Sequence, residues 1–193
     1  IERSAGAMAY PYHLDREEAF LLEQAMTLRE GGSIYRPVDE YPFLVGNYPP
    51  IYPLLYAGMT LFGGSTLPAG RFLVMMSTLV ILGVITTLII RETNRALAAL
   101  AAVGLFFATW ALNDWIAYAR VDLPAIALGM VGLLLITSPR RKTGFILGVV
   151  AFTAAFYTKQ TQVIAPIAAM FAMLAVGDWR RAGVFALVMT AVN

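Results

Sequence analysis

The 193-residue chain contains no cysteine, which excludes disulfide bonds, a thiol nucleophile and a thiolate metal site. It has one histidine, and a lone imidazole makes a poor metal site. Only 13% of the residues are charged, against roughly 25% in ordinary soluble domains, whereas 59% are hydrophobic. The mean hydropathy is +0.70. This balance predicts an integral membrane protein.

The net charge of +2 and the sequence pI near 9.0 do not indicate nucleic-acid binding, because the basic residues form small clusters between apolar runs rather than one continuous face. The chain starts at Ile1 and stops inside the apolar run 182–192, which is shorter than the roughly 20 residues of a membrane span. We therefore expect the chain to be part of a longer protein.

Two regions are predicted. Residues 1–50 are polar and are expected to form a first extracytoplasmic loop, in which 15–29 has the apolar spacing of an amphipathic juxtamembrane helix that Gly31 and Gly32 end. Residues 51–193 are expected to form a partial transmembrane helical bundle with about five spans. The apolar runs of this region are 51–62, 72–90, 96–112, 123–136, 144–157 and 163–176.

Three basic clusters predict the topology. They lie at Arg91 and Arg95, at 140–142 and at 180–181, and the positive-inside rule places them in the cytoplasm. The helices between them then alternate without conflict. Residues 51–63 would have both ends outside, so we predict a juxtamembrane or re-entrant segment there rather than a complete span.

This topology brings six ionisable residues to one membrane face: Asp15, Arg71, Asp114, Arg120, Asp122 and Lys159. Charged groups at the edges of apolar helices usually mark a substrate site. These groups could serve an acyl, phosphoryl or glycosyl transfer, with a carboxylate as the base and the cations on a phosphate leaving group. Two carboxylates could instead hold a divalent cation.

Each of these residues also has a simpler interpretation. Asp15 with Glu18 has the spacing of a capping box, in which both side chains satisfy backbone N–H groups at the start of a helix. Arg71 could be an interfacial anchor, and Lys159 an ordinary lysine at a helix end. Arg120 and Asp122 could simply pair with each other.

Four motifs, in order and spacing, resemble a known family. They are NYPPIYPL at 47–54, LFG at 61–63 followed by Arg71, YARVDL at 118–123 and YTK at 157–159. The chain resembles, over about residues 10–180, the membrane glycosyltransferases of the protein mannosyltransferase and aminoarabinose transferase type, most of all the bacterial RgtA/B/C/D-like branch. The resemblance implies an all-α, GT-C type bundle of many transmembrane helices with an acidic first external loop.

The resemblance also implies a function: inverting transfer of a sugar from a polyprenyl-phosphate donor to a lipid, glycan or protein acceptor, outside the bacterial plasma membrane. Asp15 matches the catalytic base, and Asp122 an aspartate that orients this base or helps to bind a cation. Glu17 stands where the family often has an acid next to the aspartate, but here Arg16 intervenes. Arg71, Arg120 and Lys159, with Tyr48, would bind the lipid phosphate.

The alternative is a secondary transporter or lipid flippase module, which would carry charges near the bilayer midplane and inverted repeats. We find no internal repeat, and the charges lie at the ends of the apolar runs. An inert scaffold subunit would not explain six charges at one face.

Overall fold

The computed structural model describes residues 6–7, 10–39, 41, 43, 45–63, 67–109, 115–138 and 141–192. These residues form an all-helical structure without strands. The helices are α1 (Arg16–Arg29), α2 (Ile51–Gly63), α3 (Leu67–Thr93), α4 (Ala96–Ala108), α5 (Asp122–Ile136), α6 (Arg141–Phe156), a 3-10 turn (Gln160–Val163), α7 (Ile164–Ala175) and α8 (Trp179–Val192). The all-α prediction is therefore confirmed for the described residues.

One helix in the described part of the chain is long and apolar enough to cross a membrane. It is α3, which has 27 residues and corresponds to a length of about 40 Å. The other apolar helices have 12 to 16 residues, so each is shorter than a hydrocarbon core of about 30 Å. The prediction of five spans thus stays a prediction, and so does the interfacial or re-entrant placement of α2.

Helix α1 packs its predicted apolar face against the rest of the protein. Leu21 and Ala25 are fully buried beside Tyr52 and Tyr56 of α2. Gly31, with φ of +79°, follows the last turn in the left-handed conformation that glycine adopts most readily. The helix and its end are thus where the periodicity predicted them.

The predicted polar face of α1 is partly wrong. An amphipathic helix would leave its polar residues exposed, yet Glu18 and Gln24 are buried, at 0% and 4% exposure. The reason is that α1 is covered on more than one side, by α2, by the start of α3 and by the loop 117–121. A pattern of apolar residues cannot reveal a second covered side that is lined with polar groups.

The capping box is also wrong in detail. Asp15 does occupy the N-cap position of α1, with extended backbone, but its carboxylate makes no capping hydrogen bond. Glu18 reaches back to the N–H of Leu14, 2.7 Å away, instead of the N–H of Asp15. The carboxylate of Asp15 is therefore turned toward other partners.

Two arginines lie at the C-terminal end of α5, the end away from Asp122. Arg91 at the end of α3 donates hydrogen bonds to Thr137, and Arg181 of α8 donates one to the carbonyl of Ile136, at 2.7 Å. Both therefore satisfy the C-terminus of α5, where cations are favoured. Arg91 and Arg181 belong to two of the three basic clusters, and both therefore lie at the same end of α5.

Gly70 allows three elements to meet at the start of α3. A Cβ at this position would lie 2.5 Å from Cζ of Tyr56 and 2.8 Å from Cβ of Ala119. Both neighbours are fully buried, so neither can move away freely. The glycine thus permits close packing of α2, α3 and the residue before Arg120.

We expect Gly70→Ala to lower the free energy of unfolding by about 1–3 kcal/mol, as overpacking of a filled core does. Gly83→Ala is the matched control, because Gly83 lies in the same helix and a Cβ there meets nothing within 4 Å. The control should gain up to about 1 kcal/mol from helix propensity. Reversible unfolding in detergent measures both values, and equal stabilities would contradict the packing described here.

Candidate functional site

Six predicted site residues come together at one end of the bundle. We call this group the polar cluster; its members are Asp15, Glu17, Tyr48, Arg120, Asp122 and Lys159. They come from four separate parts of the chain: the start of α1, the segment before α2, the start of α5 and the residues after α6. The fold therefore gathers side chains that are up to 144 positions apart in sequence.

Arg120 is the centre of the polar cluster. Its Nη1 lies 2.8 Å from Oδ2 of Asp15, its Nη2 3.2 Å from Oε2 of Glu17 and its Nε 3.3 Å from Oδ2 of Asp122. The guanidinium also stacks 5.5 Å from the ring centroid of Trp115. A rigid fork of donors thus orients three carboxylates toward one point.

Lys159 forms the second positive centre. Its Nζ contacts Oδ1 of Asp122 and lies 6.0 Å from the ring centroid of Tyr48. Asp122, at the first position of α5, is only 9% exposed in its side chain. Each of its two oxygens therefore faces a different cation.

The polar cluster holds three carboxylates and two cations, so it carries one net negative charge at neutral pH. Burial lowers the pKa of Arg120, but the charges of Glu17, Asp122 and Asp15 outweigh burial and raise it. Burial, and then the charges of Glu17 and Asp122, raise the pKa of the Tyr48 phenol. Arg120 therefore stays cationic and Tyr48 stays a neutral hydroxyl at physiological pH.

A separate, fully buried ion pair lies next to the polar cluster. Glu18 and Arg71 are both fully buried and form a two-pronged pair, with Nε to Oε1 and Nη2 to Oε2 both at 2.9 Å. Arg71 also donates to the carbonyls of Tyr10, at 2.7 Å, and Tyr12, at 2.8 Å, and to that of Ala7. This pair joins the N-terminal segment, α1 and α3.

Glu18 also positions the loop that carries Arg120. Its Oε1 accepts a hydrogen bond from the N–H of Ala119, at 2.8 Å. Burial opposes the ionisation of Glu18, but the hydrogen bonds from Arg71, Ala119 and Leu14 outweigh burial and lower its pKa. Sequence reasoning considered Glu18 only as a capping residue. The sequence signal for a further role is that Glu18 is an acid one helical turn after Asp15, in a chain with few charges.

Arg71 does not join the polar cluster. Its guanidinium is 0% exposed, and each of its three nitrogens donates to protein oxygens. In this arrangement it has no accessible face for a lipid phosphate. Phosphate binding by Arg71 stays a prediction, whereas the geometry favours a structural role.

A divalent cation does not fit the carboxylates as they are arranged. Asp15 and Asp122 are the two carboxylates considered as ligands, but Arg120 lies against both, and Lys159 contacts the other oxygen of Asp122. In the described part of the chain, no three His, Asp or Glu side chains gather as metal ligands. We therefore assign no chemical step to a metal. Asp114, the remaining acid of the predicted face, lies outside the described residues.

A comparison of the chain with known protein families, curated proteins and solved structures finds no match. The functional assignment therefore depends on the sequence motifs and on the polar cluster itself.

Proposed function

We propose that this protein is a membrane glycosyltransferase with a GT-C type bundle of several transmembrane helices. It moves a sugar from a polyprenyl-phosphate donor to an acceptor, and its site faces the extracytoplasmic side of a bacterial plasma membrane. Asp15 is the general base, Asp122 and Glu17 are the supporting acids, and Arg120 and Lys159 bind the phosphate of the donor beside Tyr48.

The observation that carries this proposal is the convergence on Arg120. Three carboxylates from two distant segments surround one guanidinium, and a lysine from a third segment completes the group. Packing of the helices alone does not require five charged side chains to gather at one point. Displacement at a sugar phosphate requires a base for the attacking hydroxyl and cations that stabilise the leaving phosphate, and this group supplies both.

Exposed apolar surface supports the membrane setting. Large side chains on the outer faces of several helices are uncovered, among them Leu79 of α3, Leu97 and Leu100 of α4 and Leu187 of α8. Soluble monomers rarely expose apolar surface this widely. Lipid would cover it. The charges of the apolar helices α2–α8 lie near helix ends rather than in helix centres, which disfavours the transporter alternative.

The proposed step is a single displacement. Asp15 takes the proton of an acceptor hydroxyl while its oxygen forms a bond to the anomeric carbon of the sugar. The bond from that carbon to the phosphate oxygen breaks, and the electron pair leaves with the polyprenyl phosphate. Lys159 and Arg120 stabilise the phosphate charge, and the configuration at the anomeric carbon is inverted.

The test is sugar transfer by the full-length protein in membranes supplied with radiolabelled donors. We expect label to move from a polyprenyl-phosphate sugar and not from a nucleotide sugar. Asp122→Asn should lower the rate by about tenfold to a hundredfold, since it removes a charged partner from both cations. Glu92→Gln, which breaks an exposed ion pair at the opposite end of α3, should retain the wild-type rate.

Two results would contradict the proposal. One is the absence of transfer from every lipid-linked donor by the wild type, and movement of the lipid across the membrane in the same assay would favour a flippase. The other is equal activity of Asp122→Asn and Glu92→Gln.

A further inference from the structure

A cavity of about 830 Å³ lies beside the polar cluster, between the outer face of α1 and residues 41, 43, 45, 47 and 48. We call it the side cavity. Its volume is within the range of about 300–1,000 Å³ that is usual for small-molecule sites. The side cavity and the polar cluster share Glu17 and Tyr48. A molecule in the side cavity can therefore contact Glu17, one of the three carboxylates that surround Arg120.

The lining combines aromatic rings with hydrogen-bonding groups. The rings are Phe20, Tyr41, Phe43 and Tyr48, and the polar groups include Glu17, Glu23 and Asn47. A pyranose ring has a face of C–H groups, which packs on flat aromatic rings, and an edge of hydroxyls, which bond to carboxylates and amides. An acyl chain would offer no hydrogen bond to Glu23 or to the amide of Asn47, which is costly in a lipid-filled cavity.

Phe43 is held in a strained conformation at this site. Its φ is +61°, in the left-handed region that a bulky residue rarely adopts and that costs about 1–3 kcal/mol. Its ring is 63% exposed and meets Tyr41 edge to face at 6.0 Å, so burial in a core does not offset the strain. The backbone of Phe43 therefore presents its ring at the side cavity without the support of core packing.

The wall that carries these rings is anchored to the scaffold. The hydroxyl of Tyr35 donates to the carbonyl of Tyr48, at 3.0 Å, and the amide of Gln160 donates to the carbonyl of Asn47, at 3.3 Å. The N–H of Ile51 donates to the carbonyl of Tyr157, at 3.1 Å. These bonds fix the position of Asn47 and Tyr48 in the side cavity relative to Lys159, which lies two residues after Tyr157.

We propose that the side cavity binds a sugar unit of the acceptor, and that this sugar carries no negative charge. The proposal rests on the glycosyltransferase function and names its acceptor class. Glu17 and Glu23 outnumber the one cation of the lining, Arg16, so an acidic sugar would be repelled. Glu17 lines the side cavity with a side chain that is 33% exposed, so its carboxylate can accept a hydrogen bond from an acceptor hydroxyl.

The test uses methyl glucoside and methyl glucuronide, which differ only at C6, where a carboxylate replaces the hydroxymethyl group, with the detergent-solubilised full-length protein. We expect calorimetric or NMR titration to show binding of the glucoside and weaker binding of the glucuronide, with a smaller difference in Glu23→Gln. Tyr41→Ala should weaken glucoside binding by about 3- to 10-fold, which corresponds to one aromatic contact. It should raise the acceptor KM by a similar factor while kcat changes little.

Tyr12→Ala is the matched control. Tyr12 is an exposed tyrosine of the same N-terminal region, its ring also meets another ring edge to face, and it does not line the side cavity. Glucoside binding and acceptor KM should remain at wild-type values in this variant. Equal effects of Tyr41→Ala and Tyr12→Ala would overturn the assignment of the side cavity, even if transfer is normal.

The same measurements separate this inference from the proposed function. Normal transfer with an acceptor KM that is insensitive to Tyr41→Ala would overturn the side-cavity assignment and leave the transferase proposal standing. Glucoside binding that depends on Tyr41, in a protein that transfers no sugar, would overturn the transferase proposal and leave the side cavity as a sugar-binding site. A wild type that binds neither glycoside would overturn the inference.

Discussion

Asp15→Asn should lower kcat for sugar transfer by about 10²- to 10⁴-fold, the usual contribution of a general base. Asparagine keeps the size of the side chain but cannot accept the proton of the acceptor hydroxyl. The substitution should leave the fold intact, because the carboxylate makes no capping bond and is one quarter exposed. The donor KM should change much less than kcat, because Arg120 and Lys159 remain.

Asp39→Asn is the control for this experiment, since Asp39 is an exposed aspartate of the same N-terminal region. It should transfer sugar at the wild-type rate. Asp15→Glu should recover part of the lost rate, because it restores a carboxylate at a shifted position. Wild-type kcat in Asp15→Asn would leave Asp15 as an N-cap residue without a catalytic role and would move the base to Glu17.

Arg71→Met should destabilise the protein by about 3–5 kcal/mol, because it leaves the fully buried carboxylate of Glu18 without its partner. It also removes the donors that hold the carbonyls of Tyr10 and Tyr12. The N-terminal segment before α1 should then detach. Unfolding by denaturant in detergent measures the loss, and cleavage by a protease before residue 16 reports the detachment.

Arg91→Met makes the same substitution at the other end of the same helix. The pair of Arg91 with Glu92 is exposed, and exposed pairs contribute about 0–1 kcal/mol. The large difference between the two variants is the expected result. A destabilisation by Arg71→Met no larger than that by Arg91→Met would mean that the buried pair does not hold this end of the protein together.

The arrangement of the two ends could be predicted because it follows from hydropathy and charge. Apolar runs separated by basic clusters alternate in direction, so Lys159 and Asp122 were expected at the same end, and they are in contact. Arg91 and Arg181 were expected at the other end, and both bond the C-terminus of α5. Hydropathy and charge determine this arrangement without any contribution from side-chain geometry.

The partners of individual side chains could not be predicted. Glu18 and Arg71 are 53 positions apart, and nothing in the local pattern of either residue names the other. Their pairing depends on how closely α1 approaches α3, which Gly70 and the buried tyrosines of α2 set. The strained backbone of Phe43 was missed for a similar reason, because a non-glycine residue gives no sequence signal for positive φ.

Helix α5 acts as a spacer of fixed length between the two ends. Asp122 begins it, and arginines bond its last carbonyl and the residue after it. Its 15 residues measure about 22 Å, whereas the hydrocarbon core of a bilayer is about 30 Å thick. In a membrane whose one headgroup layer holds these arginines, Asp122 would lie about 8 Å below the opposite headgroups. The carboxylates would then sit in a recess, and a lipid-borne phosphate would have to sink below its own headgroup layer to reach them.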